Sequence, residues 1–268
     1  MTKTNSLNPV QPATPPAAWI GGKRLLAKRI CAIIDRTDHG IYAEPFVGMG
    51  GIFLRRKMQP RAEAINDASG EVVNLFRILQ RHYPQFMETI RFQITSRREF
   101  ERLAKVPPET LTDLERAARF LYLQRTAFGG KVKDQHFGTT VDLGARFNLN
   151  RLAGELDEVH ARLAGVTIEN LDWLAFVERY DRAETLFYLD PPYYGNEDDY
   201  GKNLFGRDQF EALADRLEAI KGKFLLSINR RAETETVFGR FKRKNVELTY
   251  SAGKGKAKPA KELIVSNF

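Results

Sequence analysis

The feature that most narrows the possible folds is a short strand that runs into a glycine turn and emerges as a helical pattern. Residues 41–47 read as an apolar strand, Gly48-Met49-Gly50-Gly51 breaks it, and Ile52, Phe53 and Leu54 resume with helical character. A second strand at 62–65 ends on Asn66-Asp67, and 71–81 is again amphipathic. Strands alternating with helices lie parallel, because each crossover helix carries the chain back to the starting end of the sheet. Strand-like runs return at 165–168, 186–189 and 223–228, with a helix over 207–220. The runs 246–250 and 262–265 suggest an antiparallel pair closing the sheet edge. Upstream, Leu25, Leu26, Ile30, Ile33 and Ile34 have helical spacing and predict a helix over 22–35. The expected class is α/β, Rossmann-like, with a mixed and mostly parallel sheet.

Between about 83 and 150 the pattern changes to basic helical pieces, 91–105 and 114–125, followed by a glycine-rich segment at 128–147. This stretch reads as a mainly helical insertion. The predicted organisation is a flexible leader at 1–16, rich in Pro, Ala, Thr and Asn, an α/β body over 17–82 and 161–268, and an insertion at 83–160. Lys and Arg total 42 against 34 Asp and Glu, a net charge of +8, which favours a polyanionic partner without identifying one. Cys31 is the single cysteine, so an internal disulfide and a thiolate metal cluster are excluded. The leader has neither an export signal pattern nor a spanning apolar run, so a cytoplasmic setting is expected. His39, His82, His136 and His160 are too scattered to predict a metal site.

The densest chemistry is Asp190-Pro191-Pro192-Tyr193, directly after the apolar run 186–189. Open α/β sheets bind ligands beyond the carboxyl ends of their strands, and these residues sit at such an end. An aromatic exocyclic amine is a poor nucleophile, since its lone pair is delocalised into the ring. Two acceptors on its two N–H bonds favour a pyramidal nitrogen with the lone pair directed outward. Asp190 offers a carboxylate oxygen and Pro191 a backbone carbonyl on a loop stiffened by Pro192. Tyr193 offers a flat face on which an extruded base stacks. The plainer alternative is a rigid surface turn. Gly48 and Gly50, lacking Cβ atoms, let the backbone approach a nucleoside, with Asp67 at the spacing of a ribose-binding carboxylate; a nicotinamide dinucleotide suits this pattern equally well.

With these motifs in order, the chain resembles the Dam-type (D12 class) DNA adenine-N6 methyltransferases. Trp19-Ile20-Gly21-Gly22-Lys23 looks like the family's N-terminal motif, Glu44-Pro45-Phe46-Val47-Gly48-Met49-Gly50 like its cofactor-binding motif, and Asp190 to Tyr193 like its catalytic motif. Leu226-Ser227-Ile228-Asn229 and Lys261-Glu262-Leu263-Ile264 are similar to later segments, and the insertion lies where the family keeps its target-recognition domain. The resemblance implies S-adenosylmethionine as methyl donor and adenine in double-stranded DNA as acceptor. It also implies that Trp19 and Lys23 close over the donor's methionine portion, with Lys23 near its carboxylate, and that Asp67 holds the ribose. Asp172-Trp173 either recognises the donor's adenine or serves as helix N-cap and core; Phe46 is either cofactor wall or core.

An adenine in a duplex reaches a buried donor only when rotated out of the stack, so the protein must hold phosphates meanwhile. Arg125 is the expected phosphate contact. Phe128-Gly129-Gly130 lies where the family carries a DNA-reading hairpin, which makes Phe128 a candidate wedge and Lys131, Lys133 and His136 candidate contacts. The family's aromatic-Asn-Gly is Phe-Gly-Gly here, which removes an amide able to read a base edge and leaves the target sequence open. Residues 195–207 are read as a closing segment, and Lys254, Lys256, Lys258 and Lys261 as a backbone-tracking run or a protected sheet edge. The competing functions are amino methylation of cytosine N4 or RNA adenine, and a catalytically silent DNA-binding regulator. A cognate restriction endonuclease is a possible partner in a bacterium or phage.

Overall fold

The computed structural model describes residues 7–138, 144–195, 205–250 and 258–268, with side chains omitted at 248–250 and 258–260. Seven strands form the main sheet: β2 (Ile41–Glu44), β4 (Ala62–Asn66), β5 (Thr167–Glu169), β6 (Thr185–Leu189), β7 (Lys223–Asn229), β8 (Lys242–Tyr250) and β9 (Lys258–Ser266). Their order is β5-β4-β2-β6-β7-β9-β8. Strands from β5 through β7 run parallel, and β9 lies antiparallel between β7 and β8. From β2 the chain winds one way to β4 and β5, and later the other way from β6 to β7. The order therefore reverses between β2 and β6, the place where open α/β sheets form a crevice.

The sheet is buried on both faces because alternate strand residues point to opposite sides. On β6, Leu186 and Tyr188 join a core with Ile30 and Ile34 of α1 (Ala27–Arg36) and with Val72, Leu75 and Leu79 of α2 (Gly70–Arg81). Phe187 and Leu189 face the opposite way, against Phe176 and Val177 of α7 (Trp173–Tyr180) and Phe210, Leu213 and Leu217 of α8 (Asp208–Glu218). Each fully buried side chain of this size contributes about 1.5–3 kcal/mol. The short helix α9 (Ala232–Val237) precedes β8.

The described residues of 83–160 are mostly helical and pack on the body. They comprise α3 (Tyr83–Ile90), α4 (Arg97–Lys105), α5 (Asp113–Thr126) and most of α6 (Leu149–Arg162). A Thr112–Glu115 capping box starts α5, whose Phe120, Leu121 and Tyr122 join the same core as α1 and α2. α6 lies along α2, where His160 Nδ1 is 2.8 Å from the Leu79 carbonyl and its ring stacks on Tyr83 at 4.9 Å.

Two expectations need correction. The helix expected after Gly51 is a single 3-10 turn, Phe53–Arg55. The chain leaves it because Arg56 turns inward, fully buried, onto Glu63, which also accepts from Arg162 at 2.6 and 2.9 Å; Arg56 lies 3.6 Å from the Tyr42 ring centre. The leader is not loose over residues 7–16. β1 (Asn8–Pro9) pairs antiparallel with β3 (Met58–Gln59), and Ala13 donates to the Leu54 carbonyl at 2.8 Å. Ala13 and Ala17 are buried, so small side chains let this segment lie flat on the body. Among the described residues no helix is long and apolar enough to cross a membrane.

Candidate active site

The crevice at the β2–β6 reversal is lined by Trp19, Lys23, Glu44, Phe46, Gly48, Asp67, Asp190 and Pro192, which the sequence singled out, and by Pro15, Ala17 and Ala18. Its floor follows from the glycine turn. Gly48 has φ +51°, and a Cβ there would lie 2.7 Å from Trp19 Nε1, so glycine is what admits the indole. Gly50, at φ +73°, serves the core instead, where a Cβ would meet Leu54 at 2.7 Å. Asp67 takes the Gly48 and Ser69 amides at 2.9 Å each, fixing its carboxylate at the end of β4; burial pushes it up to about 6 against these two hydrogen bonds. Glu44 is buried at the end of β2, and burial raises it to about 8 although the Tyr42 hydroxyl donates to it at 2.5 Å. Phe46 meets Phe205 edge to face at 5.6 Å and forms a wall. Pro45 is buried behind it.

Asp190 follows β6 and lines the crevice with 19 % of its side chain exposed. Its Oδ1 accepts from Lys23 Nζ at 2.8 Å and from Ser227 Oγ at 3.3 Å, and Ser227 is itself 2.7 Å from the Tyr188 hydroxyl. Burial raises Asp190 to about 6, Lys23 opposes this, and Glu262 adds to it. Lys23, only 1 % exposed, also donates to the Tyr193 hydroxyl at 2.8 Å. Tyr193 donates to Glu262. The loop is clamped from β7, where the Asn229 side chain accepts from Tyr194 N at 2.9 Å and donates to Tyr194 O at 3.0 Å. Pro191 and Pro192 are buried and Tyr193 is half-buried.

Other expected residues take different contacts. Lys23 holds Asp190, not an open position for a donor carboxylate; Arg24 and Arg55 are further cations on the crevice lining. Trp173 is buried, donates to Gln209 at 2.8 Å and packs against Phe205, while Asp172 caps α7 by accepting from Leu174 N at 2.9 Å. Both stand outside the crevice lining, in the N-cap and core roles. Arg125 is no open phosphate contact: it pairs with Glu155 at 2.9 Å and donates to the Pro16 carbonyl at 2.6 Å, which ties the leader to α5. The hairpin is present, with Phe128 N donating to His136 O at 2.9 Å and an antiparallel bridge between Ala127 and Phe137. Phe128 is 63 % exposed, and Lys131, Lys133 and His136 are exposed. Gln124 ties the hairpin to the crevice by donating to Ala18 O and Gly130 O at 2.8 and 2.7 Å. Residues 196–204 of the expected closing segment, and Lys254 and Lys256, lie outside the described residues.

The model of the D12 class N6 adenine-specific DNA methyltransferases matches residues 19–252. The chain belongs to this family. The methyltransferase is 26 % identical over 219 residues to the type II methyltransferase M.CviBI of Paramecium bursaria Chlorella virus NC1A, covering 80 % of this chain and 82 % of that one. It is 29 % identical over 121 residues to the type II methyltransferase M1.LlaDCHI of Lactococcus lactis subsp. cremoris, covering 42 % and 40 % respectively. The DNA N-6-adenine-methyltransferase of Escherichia phage P1 is 28 % identical over 130 residues, 45 % of this chain and 16 % of that protein. Membership makes this methyltransferase a DNA adenine-N6 family enzyme, and the nicotinamide, cytosine and RNA readings fall away. Sequence reasoning gave no role to Ser227, Asn229 and Glu262; their motif positions were visible, their contacts were not.

Proposed function

We propose that the crevice binds S-adenosylmethionine and that Asp190, with the Pro191 carbonyl, grips the amine of a flipped adenine in double-stranded DNA. The donor supplies an electrophilic methyl group on a sulfonium. The residues fit it: Asp67 presents a fixed carboxylate to ribose hydroxyls, Trp19 and Phe46 supply apolar walls, and Arg24 or Arg55 supplies a cation for the donor's carboxylate. Asp190 Oδ1 is engaged by Lys23 and Ser227, so Oδ2 accepts one amine hydrogen and Pro191 O the other. Tyr193 stacks on the base. Phe128 wedges into the gap, with Lys131, Lys133 and His136 on the flanking backbone and 83–160 as the recognition unit.

The observation that carries this reading is Asp190 at the β6 terminus, lining the crevice and held at 2.8 Å by a buried lysine. The test is transfer of labelled methyl groups to unmethylated duplex DNA by wild type and Asp190→Ala. Labelling by wild type alone is expected, and equal labelling overturns the assignment. The type II names of two relatives favour a cytoplasmic modification role beside a restriction endonuclease.

A further inference from the structure

Glu262 stands in the middle of β9, paired with Asn229 of β7 on one side and Val246 of β8 on the other, so its backbone is held from both flanks. Its side chain is 1 % exposed. One carboxylate oxygen accepts from the Tyr193 hydroxyl, and the other lies 3.7 Å from Lys23 Nζ. Burying a carboxylate costs several kcal/mol, and packing alone gives no reason to keep one among Leu263, Ile264 and Val265. We propose that Glu262 is a positioning residue for methyl transfer, holding the Tyr193 hydroxyl and the Lys23 ammonium so that ring and carboxylate stay in register. The inference rests on the role given above to Asp190.

Charge gives a second reason. Lys23 and Asp190 offset one another, and the carboxyl of Glu262 is a second acidic group beside the same ammonium. Positive charge reaches the amine nitrogen as the methyl group is transferred, and negative charge already in place there lowers the barrier. The groups around Asp190 are Lys23 ahead of α1, which also holds the Tyr193 hydroxyl, Glu44 on β2, Tyr188 on β6, Ser227 on β7 and Glu262 on β9. Glu262 raises Asp190, so removing its charge lowers Asp190.

The experiment compares wild type, Glu262→Gln and Asp190→Ala by single-turnover methylation of unmethylated duplex DNA from pH 5 to 9, with donor affinity and Tm measured alongside. Glu262→Gln keeps shape and removes charge. We expect it to be about tenfold slower with donor affinity within about twofold of wild type. Its acid limb should move to lower pH by about half a unit. A rate within about twofold of wild type, or an unmoved acid limb, overturns the proposal. An active Asp190→Ala instead sinks the reading of Asp190, whereas an inactive Asp190→Ala beside a fast Glu262→Gln sinks Glu262 alone. Should Glu262→Gln not fold, Tyr193→Phe removes the hydroxyl between Glu262 and Lys23 and keeps the ring; about fivefold slowing is expected, and an unchanged rate overturns the proposal.

Discussion

Replacing Lys23 by Met separates two roles for a buried lysine in this crevice. The ammonium lies 2.8 Å from Asp190 Oδ1, and at an effective dielectric of about 20 that attraction is about 6 kcal/mol. Asp190 keeps 19 % of its side chain exposed, so solvent screening reduces this to about 3 kcal/mol, or about two pH units. Asp190, at about 6 in the wild type, then rises further in Lys23→Met. At pH 7 its ionised share therefore drops. A protonated carboxyl donates where the amine needs an acceptor, so methylation at pH 7 should be about tenfold slower. The deficit should close as the pH passes about 9. The assay is initial-rate methyl incorporation into unmethylated duplex DNA from pH 6 to 9.5, with donor KM determined at each pH. A deficit of the same size at every pH, with raised donor KM, would refute the reasoning and return Lys23 to the donor's carboxylate.

Gly48→Ala puts a methyl group 2.7 Å from Trp19 Nε1 at φ +51°, so stability should fall by about 1–3 kcal/mol in urea titration, with weaker donor binding by calorimetry. Unchanged binding would argue against the indole as a crevice wall. Glu44 binds its proton more tightly in the folded chain, so its favourable contribution is present below about 4.5 and is lost as the pH climbs to about 8. The stability advantage of Glu44→Gln over wild type should therefore grow from pH 5 to 8, by at most about 1.4 kcal/mol per pH unit; a constant difference contradicts this. Glu63→Gln leaves Arg56 and Arg162 buried without their counter-charge and should destabilise by about 3–5 kcal/mol, a loss below about 1 kcal/mol being inconsistent with the buried triad. Phe128→Ala should weaken base flipping, read by fluorescence of 2-aminopurine at the target position, while donor affinity holds; unchanged fluorescence counts against the wedge.

The parallel strands were legible because each is an apolar run bounded by turn residues, and Asp190 was legible because it ends one of them. Local periodicity hides what depends on distant partners. Arg56 stands in the cationic run Arg55-Arg56-Lys57, yet the Glu63 carboxylate, shared with Arg162, draws it inside and cuts the helix short. Ala13 and Ala17 carry too little apolar surface to signal burial, yet small size is what lets the leader lie on Leu54 and α5. Glu262 sits in a lysine-rich stretch that resembles a solvated edge, and only the strand order β7-β9-β8 turns it toward Lys23. Asp172 and Trp173 show the converse, since two chemically suggestive residues are spent on a helix cap and a core ring.

The placement of β9 between β7 and β8 bears on how the enzyme is made. Ribosomes deliver the donor walls early and the strand carrying Glu262 late, after the edge strand that flanks it has already emerged. A chain interrupted before β9 thus holds a glycine turn and a carboxylate loop without the brace behind them, and it should leave DNA unmarked until β9 has been made.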